Sequence, residues 1–342
     1  MKSRREFLKD AATGAMVLGS AVATERLAFA GMLGQGAGQH AGAGKSKVVI
    51  ARDASLHGAG TQPDEQRVLN LLDKAMAAYT GREKPVEAWK SVIPAKIRAG
   101  GVIGLKVNGL GGRGISTHAA LTMAVAERLQ QAGVRAGNIL VWERDAWSLE
   151  SCGMSVNTDA NRVRCYGSDV GGYEEESVQC GPVRVRLAKI LTRECVMVIN
   201  LPILKDHEMA GVTFSMKNMY GVVDRPNLLH GSKCNPGVAN VNAVPVVRER
   251  VCFTIGDAMS SVYDGGPGFR PERLWYPNAL IVGEDRVAVD SIAWKMIEQK
   301  RAEAGVPTLE AVGREPLYIA TAADGEHRLG TNDPQRIYRV EI

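Results

Sequence analysis

The sequence predicts an α/β protein with a mostly parallel sheet flanked by helices. Short runs rich in Val, Ile and Leu alternate with segments whose apolar residues recur at helical spacing. The links between consecutive apolar runs carry a helix pattern rather than a tight hairpin turn, so neighbouring strands run parallel through right-handed crossovers. Between Cys152 and Pro182 the alternation breaks into irregular, polar sequence, which reads as an insertion around 152–182.

The elements follow in order. Lys47–Ala51 reads as the first strand, and after Pro63 the residues Val68, Leu69, Leu72, Ala75 and Met76 mark one face of a helix. Val102–Val107 is the next strand. A glycine loop leads from it to Ser116 and Thr117, residue types that cap helices, and to a helix from His118 to about Gln131. Gly133 ends that helix and Asn138–Glu143 returns as a strand. The unit recurs as a short strand Val183–Val185, a helix around Leu187–Arg193 and the strand Cys195–Asn200. Val251–Ile255 and Ala279–Val282 are further buried strands, Val287–Lys300 is a helix, and Ile337–Ile342 is a closing edge strand.

The N-terminal segment has the anatomy of a removable export signal. Arg4 and Arg5 precede Phe7-Leu8, an uncharged apolar run follows from Ala11 to Ala23, and Ala28-Phe29-Ala30 offers small residues to a signal peptidase. The paired arginines make it a twin-arginine signal, residues 1–30, cleaved after Ala30. The expected partner is therefore the twin-arginine translocase, the expected destination is the periplasm, and a chain exported folded carries a hint of a cofactor. The apolar run is shorter than the roughly 20 residues a membrane-spanning helix needs, so no stable transmembrane segment is expected. Residues 31–46 read as a flexible Gly/Ala-rich leader, and 47–342 as the α/β domain, in one piece or two lobes.

Composition narrows the function. The formal charge of +5 is partly contributed by Lys2, Arg4, Arg5 and Lys9 of the signal, and no Lys/Arg run is interleaved with aromatics, so nucleic acid is not an expected partner. The six cysteines, Cys152, Cys165, Cys180, Cys195, Cys234 and Cys252, include no C-x-x-C pair, and no iron–sulfur cluster is predicted.

Two strand ends carry candidate chemistry, because ligands of parallel sheets bind at the carboxyl ends of the strands. Gly109, Gly111 and Gly114 have G-x-G-x-x-G spacing after a strand, with Glu143 ending the next strand; this admits a nicotinamide-dependent oxidoreductase. Asn108, Arg113 and the loop amides could equally receive an anion. The second segment begins where the strand 195–200 gives way to Lys205, Asp206, His207 and Glu208 and runs on to Thr213, Lys217, Asn218 and Tyr220. Lys205 and Lys217 offer positive charge, His207 a titrating imidazole. Thr213 and Lys217 are spaced to share a helical face. Asp257, Asp264 and the Gly265–Gly268 turn read as a further polar loop near this edge.

Val102–Asn108, Ser116-Thr117-His118, Asn200–His207, Gly211-Val212-Thr213, Lys217–Gly221, Ile255–Ala258 and Val289–Ala293 resemble the bacterial family called domain of unknown function 362. The ferredoxin module of many relatives is lacking. A more distant similarity is to the nickel-pincer lactate racemases. Thr117-His118, His207–Gly211 and Lys217 match the spacing of that family's active site, and His230 falls where a further ligand could lie. The similarity implies a covalent Lys217-linked cofactor, a metal held by His230, and His118 and His207 as acid and base; Asp257 is a further metal candidate beside it. Val212–Met216 stands where that family has a glycine-rich turn.

The reading is an exported α/β protein acting on a small anionic, carboxylate-like ligand. His118, His207 and Lys217 are expected to be catalytic, and Asn108, Arg113, Lys205 and Asn218 to bind substrate. A non-catalytic metal- or anion-binding module is the alternative on the same residues.

Overall fold

The computed structural model describes residues 44–342; the signal residues Arg4, Arg5, Ala28 and Ala30 and nearly all of the leader lie outside them. The strands are β1 (Ser46–Arg52), β2 (Val102–Val107), β3 (Ile139–Trp142), β4 (Arg164–Cys165), β5 (Val178–Cys180), β6 (Val183–Val185), β7 (Cys195–Leu201), β8 (Lys205–His207), β9 (Gly211–Thr213), β10 (Val251–Ala258), β11 (Ser261–Val262), β12 (Leu274–Trp275), β13 (Ala279–Gly283) and β14 (Ile337–Glu341). The main sheet has the order β14-β1-β13-β10-β7-β2-β3-β4. Only β13 runs against the others, pairing antiparallel with both β1 and β10. The remaining pairs are parallel. The fold is α/β, as the alternation predicts.

Side chains alternate across the sheet with the two-residue period of a strand. Val49, Ala51, Leu105, Ile199, Ile255, Leu280 and Val282 face one way, where Leu72, Met76, Val125 and Leu129 of the helices Glu65–Thr80 and Ala119–Gln131 cover them. Val48, Ile50 and Ile281 face the other way, against Val289, Ile292 and Ile297 of the helix Arg286–Glu303. Burying each such side chain contributes about 1.5–3 kcal/mol. Asp285 starts the Arg286–Glu303 helix by accepting from the N–H groups of Val287 and Ala288, each at 2.9 Å. The tip of the Phe214 ring abuts Gly256 of β10, where an added Cβ would come within 2.0 Å of Cζ.

Several local expectations are corrected. His118, not Ser116 or Thr117, is the N-cap of the Ala119–Gln131 helix, and it makes no side-chain cap bond. The Thr117 hydroxyl instead donates to Leu201 O at 2.6 Å and accepts from Asn108 N at 2.9 Å, stitching the ends of β2 and β7 together. The expected helix around Leu187–Arg193 is a single π turn, Ile190–Glu194. Val183–Val185 joins no crossover; it pairs with β5 in a separate hairpin. The insertion is not wholly irregular, since it supplies the edge strand β4.

Because the strands run almost wholly one way, their carboxyl ends share one edge. Chain leaving β1, β2, β3, β7 and β10 emerges there, and the chain entering β13 arrives there. His57, Asn108, Glu143, Lys205, Asp257 and Asn278 all belong to these crossings.

Candidate functional site

Carboxamides span the strand ends. Asn108 Nδ2 donates to Asn218 Oδ1 at 3.1 Å, and Asn218 Nδ2 donates to Asn200 Oδ1 at 2.8 Å and to Lys106 O at 3.2 Å. Asn200 Nδ2 continues to Ser215 O at 2.9 Å. These groups are buried and mutually satisfied, which rigidifies the edge. Asn108 and Asn218 are thus brought together as expected, though their visible bonds are to each other and to the protein.

Lys205 is fully buried and gives its three protons to Asn108 Oδ1 at 3.2 Å, Ile115 O at 3.1 Å and Leu110 O. Burial pushes its amine down to about 7, while three oxygens on the nitrogen favour the charged form. It staples the glycine loop to β8. Lys106, also buried, pairs with Glu143 Oε1 at 2.9 Å, so the acid that would hold a ribose is already engaged. The glycines themselves face protein: a Cβ on Gly109 would meet Ser148 O at 2.7 Å, and one on Gly114 would meet the Phe269 ring at 2.3 Å. The nearest helix starts at Ala119, not at Gly114. The loop therefore lacks the direct glycine-to-helix junction of the dinucleotide motif. Arg113 lies in the 3-10 turn Gly112–Gly114, and its side chain is outside the described residues.

Lys217, His207, His230 and Tyr220 form a compact group. Thr213 ends β9 while Lys217 opens the 3-10 turn Lys217–Val222, so the two do not share a helix as their spacing suggests. Lys217 is 7% exposed; its Nζ lies 3.3 Å from His230 Nε2 and 3.7 Å from the centre of the Tyr220 ring. Among the described residues no carboxylate pairs with it. Burial pushes its amine down to about 8. The ring nitrogen His230 Nδ1 is 2.9 Å from Pro226 O, to which it donates, leaving Nε2 as the acceptor that faces Lys217. Burial, then Lys217, holds the His230 imidazole below its usual range.

His207 ends β8, and the tight hairpin to β9 points the N–H groups of Met209 and Ala210 at its Nδ1, at 3.1 and 3.2 Å. Nδ1 is therefore an acceptor and Nε2 carries the proton. Burial, with Lys217 and His230 adding to it, pushes the ring down to about 3. The His207 and His230 ring centres are 6.2 Å apart. His207 thus faces the group as an Nε2–H donor whose affinity for a second proton is depressed.

His118 belongs to a different group. One oxygen of the fully buried Asp257, Oδ2, takes both the His118 backbone N–H and ring Nδ1, each at 2.8 Å. The other, Oδ1, accepts from Met259 N at 3.1 Å. Both oxygens of Asp257, one of the two metal candidates, are thus engaged by protein donors, whereas the other candidate, His230, turns its Nε2 toward Lys217. Burial alone would lower the His118 imidazole, but Asp257 outweighs it and the pKa is raised. His118 Nε2 faces Ser260 Oγ at 3.5 Å and the ring of His57, whose centre is 6.3 Å away. His57 was not among the expected residues. Its signal was its place, five residues beyond β1 at the edge where the other candidates emerge.

The third polar loop is structural. Arg314 donates to both oxygens of Asp206, at 3.1 and 2.9 Å, and to Asp264 at 2.9 Å; Arg301 reaches Asp264 at 2.8 Å. Gly266 N donates to Asp206 Oδ2 at 2.9 Å, which fixes the glycine turn on β8. Among the described residues, no group of three or more His, Cys, Asp or Glu side chains is placed to hold a metal ion, and no helix is long and apolar enough to cross a membrane. A concavity lined by Trp294, Lys295, Glu315 and Asn332 contains none of the expected site residues.

None of the curated proteins matches this chain. A crystal structure of a Thermotoga maritima protein is similar at 12% identity with a TM-score of 0.43, covering 70% of this chain and 60% of that one. The chain thus spans about 60% of the length of that neighbour. Residues 103–295, from β2 into the Arg286–Glu303 helix and including Asn108, His118, Lys205, His207, Lys217, His230 and Asp257, match the domain of unknown function DUF362, and the chain belongs to that family.

Proposed function

We propose that this is an exported enzyme or cofactor-dependent protein that binds a small carboxylate-bearing ligand at Lys217, with His207 and His230 beside it. The observation that carries this reading is the buried Lys217 amine with no carboxylate partner among the described residues. A buried ammonium without a counter-ion costs several kcal/mol. A fold retains one where an incoming anion, or a covalent partner on the nitrogen, completes it. His207 presents Nε2–H as a neutral donor to the same anion, and its depressed pKa keeps it from competing for the proton. With a pKa of about 8, roughly one lysine in ten is uncharged at pH 7, so the nitrogen can also act as a nucleophile.

The group also fits the covalent cofactor implied by the racemase resemblance. Lys217 would carry it and His230 Nε2 would ligate its metal; bound there, it would supply an electron sink. With Lys217 occupied in that way, the chain's own residues donate Nε2–H from His207 to the carboxylate and hold a titrating imidazole at His118. The Arg4-Arg5 signal supports action outside the cytoplasm.

The alternative of a binding module without turnover is favoured by one feature, the His207 imidazole held at about 3, which makes it a poor base. Incubation with small hydroxy and oxo acids in D2O, followed by proton NMR, separates the two. Exchange or interconversion of the acid that is lost in His118→Gln supports the enzyme; stoichiometric binding with no exchange leaves the module; no binding of any acid refutes both.

A further inference from the structure

The main sheet ends differently at its two edges. At one edge, β4 is two residues long. At the other, β14 runs for five residues beside β1 in unbroken parallel register, with no proline, glycine or bulge in it. Among the described residues no strand pairs with β14 on its far side. Such an edge is a ready template for another strand.

The phase of the ladder decides which groups that edge offers. Ile342 N, just beyond β14, donates to Ile50 O at 3.1 Å, and Arg52 N donates to Ile342 O at 2.9 Å. In a parallel pair, a residue facing its neighbour makes both bonds to it, and the next residue turns its polar groups the other way. Tyr338, Val340 and Ile342 therefore face β1, while Arg339 and Glu341 point their N–H and C=O groups outward. Side chains alternate too. Val340 packs on the core that contains Val49, and Tyr338 and Ile342 share its face at 46% and 49% exposure. Arg339 and Glu341 stand on the opposite face and pair with each other along the strand.

Charges blunt an edge when an incoming strand brings their like. Arg339 and Glu341 have opposite signs and lie two residues apart, so β14 is complementary to a reversed copy of itself. We propose that β14 docks antiparallel on β14 of a second copy of this chain, about a two-fold axis at Val340, so that the two main sheets continue into one. In that register Arg339 faces the partner's Glu341 and Glu341 faces the partner's Arg339. These are the hydrogen-bonded pairs, as their outward backbone groups require, and Val340 meets its own copy in the non-bonded position between them. Tyr338 meets the partner's Ile342, which covers both exposed apolar side chains. A register centred on Arg339 or on Glu341 sets like charges opposite each other. One centred between residues sets an outward residue against an inward one.

The test is analytical ultracentrifugation of the folded chain across a concentration series, with two charge reversals. Wild type is expected to dimerise reversibly, and less tightly at high salt. Arg339→Glu or Glu341→Arg alone turns both attractive cross pairs into repulsive ones and should weaken the dimer about tenfold or more. Mixed in equal amounts, the two variants should form a heterodimer, because every cross pair then joins opposite charges. Val340→Cys supplies a readout that does not depend on the folding of those variants. Its Cα would lie roughly 4.5 Å from its own copy, within disulfide reach, so mild oxidation should cross-link it as a dimer and should leave Tyr338→Cys uncross-linked. A wild type that stays monomeric overturns the proposal. So does a dimer that neither reversal weakens, a mixture that fails to associate, or a Val340→Cys variant that fails to cross-link.

Discussion

A single oxygen of Asp257 accepts from both the backbone N–H and the ring Nδ1 of His118, each at 2.8 Å, so the start of a helix and the tautomer of an imidazole are set by one carboxylate at the end of β10. The other oxygen holds Met259 N. The arrangement fixes a titrating ring without using it as a ligand, and it makes His118 dependent on a residue 139 positions away.

Asp257→Ala is therefore expected to destabilise the fold by about 2–4 kcal/mol, since buried donors at His118 and Met259 lose their acceptor. Asp257→Asn keeps most of the shape and should lower the His118 pKa. Because the folded value is raised above the ordinary 6.5, the pair's stabilisation is fully present below that pH and is lost as pH rises through the folded value. Urea unfolding between pH 5 and 9 checks this: the wild type, and not the Asn variant, should lose this increment on the alkaline side.

His207 produces the opposite dependence. Its folded pKa of about 3 lies below the unfolded value, so the unfolded chain takes up the proton first, and stability falls as pH drops from about 6.5 toward 3. His207→Asn, which can still accept from Met209 and Ala210, should flatten that part of the acid limb. An unchanged acid limb would mean that His207 is not buried neutral.

Lys205 and Lys217 should respond differently to the same change. Lys205→Met leaves buried oxygens on Asn108, Leu110 and Ile115 without their donor and is expected to cost about 2–4 kcal/mol. Lys217→Met removes a buried ammonium with no carboxylate partner and should be neutral or stabilising by about 1–2 kcal/mol. Thermal melts of the two variants separate a structural lysine from a functional one.

That contrast also shows what the sequence could and could not convey. The strand runs such as Val102–Val107 and Cys195–Leu201 carry their burial in their own composition, and the sheet follows from them. The site residues gather at the strand ends because parallel strands deliver them there. What composition could not convey is partnership. Lys205 and Lys217 look alike in sequence, but only one finds oxygens for its protons. Asp257 looks like a metal ligand until both its oxygens are seen to be occupied. His57 lies in a polar turn with no motif around it, and its ring is held by Asn278, more than two hundred residues on.

Ligand affinity should track the protonation of Lys217. With its pKa at about 8, binding of a carboxylate is expected to be flat below pH 7 and to weaken about tenfold per unit well above 8. Affinity that rises through this range would place the anion elsewhere.

The most direct test of the Lys217 site is calorimetric titration of wild type and Lys217→Met with the tightest-binding small carboxylate at pH 7. The account predicts at least a tenfold loss of affinity in the variant, with its unfolding midpoint unchanged or raised. Equal affinity in a folded Lys217→Met protein would contradict it.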